Sequence, residues 1–233
     1  MFNTKFVDFL RTFNKISNGV ILEYPVSVGK TDCSDIAFKF DVSQFDEAGF
    51  DGKIGFVDLS SFLNVFTLVD NPEVSFSEGV VTAANSECSV KYFTSAVELI
   101  SQQYSFPAKQ FESAKSKPCV AKIPLTSSDI KKIKAAGSSF RELNAVSLRG
   151  GDTVEVTLSQ VGKFNQSSNG FSLMKDIKVE KNFDLAMSTE TFSKIPVIDY
   201  TVNVIYNEEK GKFRLLFVAD NIPGFEMFVA TNA

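Results

Sequence analysis

The stretch Thr4-Lys5-Phe6-Val7-Asp8-Phe9-Leu10-Arg11-Thr12-Phe13-Asn14-Lys15-Ile16 decides how the rest of the chain is read. Phe6, Phe9, Leu10, Phe13 and Ile16 recur every three or four residues and share one side of a helix, while Lys5, Asp8, Arg11, Thr12 and Lys15 share the other. Its apolar side has to lie on a sheet. A second stretch, Ser127-Ser128-Asp129-Ile130-Lys131-Lys132-Ile133-Lys134-Ala135-Ala136-Gly137-Ser138-Ser139-Phe140, has the same design. Ile130, Ile133, Ala136 and Phe140 form its apolar row, Lys131, Lys132 and Lys134 point away from it, and Ser127 or Ser128 supplies the N-cap. Each helix opens one half of a strand-rich chain, which predicts an α+β fold of two pseudo-equivalent domains.

Working outward from the first helix, Asn18-Gly19 has the residue types that end a helix in the left-handed conformation. A strand follows over residues 20–26 and a clearer one over 35–42, where Ile36, Phe38, Phe40 and Val42 alternate with Ala37, Lys39 and Asp41. Residues 49–52 make a turn into a strand at 53–57. Asp58 then caps a helix that buries Leu59, Phe62, Leu63, Phe66 and Leu68, and Asn71-Pro72 stops it. Short strands at 73–77, 80–84 and 88–93 close the first half.

Residues 101–118 contain Pro107 and Pro118 and little periodicity, so they read as a connector, pinned to the surface by Tyr104, Phe106 and Phe111. The second half continues with strands at 143–149 and 153–158. An alternating run through Ile177, Val179, Phe183, Leu185 and Met187 is interrupted at Lys181, the mark of an edge strand or bulge. Residues 188–195 parallel 58–65 and end at Pro196, and strands at 200–206, 212–218 and 225–230 mirror the three that closed the first half. The division expected is a domain at 1–103, a connector at 104–118 and a second domain at 119–233.

Composition narrows the function. A formal charge of −4 over 233 residues excludes a generic polyanion binder, so any contact with nucleic acid must come from local segregation of Lys and Arg. With no histidine, the chain lacks the usual general base and metal ligand. Val28-Gly29-Lys30-Thr31 looks like the end of a phosphate-binding loop, but Tyr24 stands where that loop needs glycine. Asp32 with Asp35, or Asp46, Glu47 and Asp51, match no calcium-loop spacing and read as solvated acidic loops. No Ser or Cys sits in a nucleophile turn. The expectation is a protein that is not an enzyme and needs no cofactor or metal.

Cys33, Cys88 and Cys119 are too widely spaced for a redox pair or zinc knuckle and odd in number, which fits a reducing cytoplasm. Asp8 and Arg11 interrupt the apolar pattern that a signal peptide would need, and no apolar run is long enough to span a bilayer. The sequon Asn165-Gln166-Ser167 therefore reads as incidental.

Lys5, Arg11 and Lys15, then Lys131, Lys132, Lys134 and Arg141, with Lys194 on the later short helix, are the candidate phosphate contacts. Such contacts position a protein electrostatically without reading bases. The alternatives are ordinary solubilising faces or, with shorter reach, docking on an anionic membrane.

The chain resembles the sliding clamp, or DNA polymerase processivity factor, of the T-even-type bacteriophages. The resemblance rests on Phe9-Leu10-Arg11-Thr12-Phe13-Asn14-Lys15-Ile16-Ser17-Asn18-Gly19-Val20, on Val57-Asp58-Leu59-Ser60-Ser61-Phe62-Leu63 with Leu68-Val69-Asp70-Asn71, and on Ser105-Phe106-Pro107. It implies a homotrimeric ring with helices lining the hole and antiparallel sheets outside, encircling duplex DNA without sequence preference. It also implies a replicative polymerase and an ATP-driven clamp loader as partners, transcription factors as further clients, no membrane, and the cytoplasm of an infected bacterium as the location. By that analogy Tyr104, Phe106 and Phe111 border a groove for client peptides. Ring closure would pair an outer strand of each half, with residues 89–93 and 177–184 as candidates. The rival reading is a two-domain viral structural or adaptor protein that assembles through its sheet edges.

Overall fold

The computed structural model describes residues 4–45, 52–140, 142–160 and 170–231. The chain divides into two compact units, Met1–Ala108 and Lys109–Ala233.

In the first unit, helix α1 (Thr4–Phe13) is followed by strands β1 (Val20–Glu23), β2 (Val26–Lys30), β3 (Ile36–Asp41) and β4 (Lys53–Phe56). Helix α2 (Leu59–Val65), strands β5 (Glu73–Ser77), β6 (Val80–Ala84) and β7 (Ser89–Phe93), and helix α3 (Val97–Tyr104) complete it. All pairings within the unit are antiparallel: β1 with β4, β2 with β3, and β5-β6-β7 in that order.

The expected row of α1 is buried, and Val7 is buried with it. Its phenylalanines interlock with those of β3: Phe13 meets Phe38 edge-on at 4.7 Å between centroids, and Phe9 lies 4.9 Å from Phe40. Phe56, Phe62 and Tyr92 form a second aromatic group. Rings packed at tilted and edge-on angles bury large areas and gain from quadrupole alignment, which accounts for a core built on Phe rather than Leu.

Several local expectations need correction. The strand expected over 20–26 is two strands, because Pro25 has no N–H to continue a ladder. Gly19 does not have a positive φ; a Cβ there would lie 2.1 Å from the Tyr104 ring, so the glycine serves close packing rather than a left-handed cap. Leu68 is exposed and Val69 takes the buried position. The expected turn residues 49–51 lie outside the described residues. The expected connector is largely helical: a helix over 97–104 runs into its start, and residues 108–115 form another.

The second unit contains helix α4 (Ala108–Lys115, from Lys109), strand β8 (Cys119–Leu125), helix α5 (Ser127–Ser139), and strands β9 (Ala145–Gly150), β10 (Val154–Ser159), β11 (Phe171–Lys175) and β12 (Phe183–Ser188). Helix α6 (Thr189–Lys194) and strands β13 (Tyr200–Asn207), β14 (Lys212–Ala219) and β15 (Glu226–Val229) follow. One antiparallel sheet runs β11-β10-β9-β12, and β8, β13, β14 and β15 pair antiparallel in that order.

Strand β11 was not expected from the sequence, and residues 177–182, expected to begin an edge strand, make no ladder. Lys181, the break in that alternating pattern, lies 3.5 Å over the Tyr206 ring, where its charge meets the face of the π system.

Candidate nucleic-acid interface

In the first unit the exposed side of α1 presents Lys5, Asp8, Arg11 and, just beyond it, Lys15. Its partner α2 is fixed by residues from the α1 exit. Asn18 accepts from Leu59 N through its carbonyl at 2.6 Å and from Ser60 N through its side chain at 2.9 Å, and Asn14 Nδ2 donates to Ser60 Oγ. Asp58 caps the same helix end by accepting from Ser61 N at 2.9 Å. Hydrogen bonds from the Ser61 hydroxyl and backbone hold its carboxyl below the usual carboxylate range. Arg11 pairs with Asp8 at 2.8 Å, so much of its charge is balanced on the spot, and Lys5 and Lys15 are the more available cations of this face.

The second unit repeats the joint. Thr189 N, the first residue of α6, donates to Asn144 O at 3.0 Å, as Leu59 N does to Asn18 O. Ser188 caps α6 as Asp58 caps α2. The cap of α5 is Thr126, one residue before the expected serines, in a reciprocal box with Asp129. Asp129 also takes Lys175 Nζ at 2.7 Å. Burial pushes the Asp129 carboxyl up, but the bonds from Lys175 and Thr126 outweigh it and leave the group below its ordinary value. Ser127 N donates to Asp199 at 2.6 Å, and the same bond lowers the Asp199 carboxyl.

On this anchored helix Lys131 and Lys132 are exposed. Lys134 is not turned away as expected: it is half-buried and donates to Ser193 O at 2.8 Å. The reason is helical geometry, since Lys134 is four residues after Ile130 and so falls on the buried row. Lys194 is half-buried in the last turn of α6. Arg141 lies outside the described residues. The first unit therefore brings Lys5, Arg11 and Lys15 to one helix face, and the second brings Lys131 and Lys132 to another.

The three connector aromatics part company. Tyr104 is buried against Ile21 and Ile100, and burial pushes its phenol up. Phe111 is wholly buried against Phe228, with centroids 4.9 Å apart. Neither borders an open groove as placed. Phe106 does line a surface depression of about 630 Å3, with Ile21, Val26, Val28 and Pro107, rimmed by the Lys53–Glu23 ion pair at 3.1 Å.

Among the described residues no group of three or more His, Cys, Asp or Glu is placed to hold a metal ion, and no helix is long and apolar enough to cross a membrane. The residues the sequence reading missed are the joint-makers Asn18, Asn144, Asp129 and Lys175. Only Thr126-Ser127-Ser128-Asp129 carried a recognisable signal, the spacing of a capping box.

No protein-family model matches the chain, and no curated protein matches it by sequence. Solved structures do. Proliferating Cellular Nuclear Antigen from Entamoeba histolytica superposes with a TM-score of 0.66 at 12% identity, covering 98% of this chain and 95% of that one. A. fulgidus PCNA, solved with the C-terminal region of FEN-1, gives 0.64 at 11%, covering 97% and 94%. The H. pylori beta clamp gives 0.65 at 10%, covering 97% of this chain and 63% of that longer one. The chain thus has the α+β clamp fold expected from its sequence, with two similar halves of antiparallel sheet and helix.

Proposed function

We propose that this protein is a DNA sliding clamp of the T-even-phage type: a non-catalytic homotrimeric ring that encircles duplex DNA and tethers the replicative polymerase in the cytoplasm of an infected bacterium. Its domains would be 1–103 and 119–233, joined by the connector 104–118. The observation that carries the reading is the clamp fold combined with exposed lysines on the opening helix of each unit, Lys5 and Lys15 on one and Lys131 and Lys132 on the other, in a protein of net charge −4. Weak phosphate contacts on rigid helices hold a duplex without stopping its movement, and a negative exterior discourages binding elsewhere. Tethering then raises the polymerase's effective concentration at the primer end.

A loader and transcription factors complete the proposed partners. The A. fulgidus neighbour's FEN-1 segment supports docking of client peptides on this fold. For ring closure, the expected strand at 89–93, β7, pairs with β11 of the next subunit in place of residues 177–184, since 177–182 make no ladder and β11 is a ladder strand at a sheet edge. Phe93 and Met174 on these strands are exposed. Analytical ultracentrifugation tests the assembly: a trimer at micromolar concentration is expected, and a monomer under all conditions, with loader and primed DNA included, would contradict it.

A further inference from the structure

Helix α4 is held on the sheet of its own unit by two side chains four residues apart. Phe111 is wholly buried beside Phe228, and Lys115 forms an ion pair with Glu226. Glu226 and Phe228 are two apart on β15 and so share one face. The other outward residues of α4, Lys109, Gln110, Glu112 and Ser113, are exposed. A helix of 8 residues is too short to persist unaided, so these anchors decide whether it stays.

The polar anchor is incompletely matched. The Glu226 side chain is 9% exposed; its Oε1 receives Lys115, while Oε2 is buried with no hydrogen-bond partner among the described residues. An ammonium is a compact donor that serves one oxygen here. A guanidinium presents parallel N–H groups that match both oxygens of a carboxylate.

We propose that the face of β15 beneath α4 is a docking site for a partner segment carrying an aromatic residue and, four residues later, an arginine, and that α4 occupies this site as a weaker internal surrogate. The aromatic takes the place of Phe111 beside Phe228, and the arginine takes both oxygens of Glu226. Occupancy is exclusive, so a client must displace α4, and the connector reports whether one is bound. The inference rests on the clamp reading for the idea that clients dock through short segments; the chemistry of the site needs neither DNA nor ring.

The test uses the full chain without DNA and a fluorescein-labelled helical peptide of about twelve residues carrying Phe and, four positions later, Arg. Saturable anisotropy is expected, tightened about fivefold by Lys115→Met, which weakens the internal competitor by removing one of its two anchors. In the Lys115→Met background, where α4 no longer depends on this carboxylate, Glu226→Gln, or Arg→Ala in the peptide, should weaken it by about tenfold or more. Lys115→Arg supplies the guanidinium from within and should raise Tm while weakening the peptide. Amide exchange in α4 should accelerate when the peptide binds. No saturable binding to the Lys115→Met variant, or an affinity of that variant indifferent to adding Glu226→Gln with unchanged circular dichroism, overturns the proposal. Failure of the clamp reading would show in assembly and DNA retention, which these measurements do not touch.

Discussion

Lys175, at the end of β11, places its Nζ 2.7 Å from Asp129 Oδ2 in the first turn of α5, with side-chain exposures of 18% and 9%. A strand at a sheet edge is thereby tied to the helix that carries Lys131 and Lys132. Removing one member of a buried pair leaves the other charge unmatched, so Asp129→Asn and Lys175→Met are each expected to lower unfolding free energy by about 2–4 kcal/mol. Urea denaturation measures this, and the double variant should cost less than the sum.

The same pair sets a pH dependence. The Asp129 carboxyl titrates below its ordinary 3.8, so its contribution is complete above the unfolded value and is lost as pH falls through the folded one. Thermal unfolding between about pH 6 and about pH 2, across the carboxylate range, should show a steeper acid decline for the wild type than for Asp129→Asn. Parallel curves would refute this assignment.

Two glycines should respond in opposite directions. A Cβ on Gly19 would fall 2.1 Å from the Tyr104 ring, whereas on Gly137 it would meet nothing nearer than 3.9 Å. Gly19→Ala is expected to destabilise by about 2 kcal/mol or more through overpacking. Gly137→Ala, in mid-helix with room to spare, should stabilise by about 0.5–1 kcal/mol. Calorimetry of the two variants decides.

The lysines of α5 should also separate. Lys131→Ala with Lys132→Ala removes two exposed cations and is expected to lower the slope of log affinity against log salt on duplex DNA by up to about 2. Lys134→Ala loses the bond to Ser193 O, so its effect should appear in stability instead. An unchanged salt slope for the double variant would place the DNA elsewhere.

Much of this was legible in the sequence where local pattern and tertiary role agree. The row from Phe6 to Phe13 marks α1, the alternation from Ile36 to Val42 marks β3, and Asp58 and Ser188 announce α2 and α6 through capping chemistry. The rest depended on distant partners. Lys181 breaks a pattern because Tyr206 receives it, and a short edge strand such as β11 carries too few residues to outweigh the longer alternating run after it. A lone aromatic in a polar segment, Phe111 or Tyr104, announces burial without saying against what. At the candidate site, the exposure of Lys131 and Lys132 was legible, while the tie of Lys134 was visible only by placing it on the row of Ile130.

The most direct test is topological. The protein is incubated with the proposed clamp loader, ATP and a nicked circular duplex, the circle is cut once, and the fraction retained is followed by gel filtration. Loss after cutting, with retention on the uncut circle and on linear DNA whose ends are blocked, is the expected result. Equal retention on open linear DNA and on the circle would contradict encirclement.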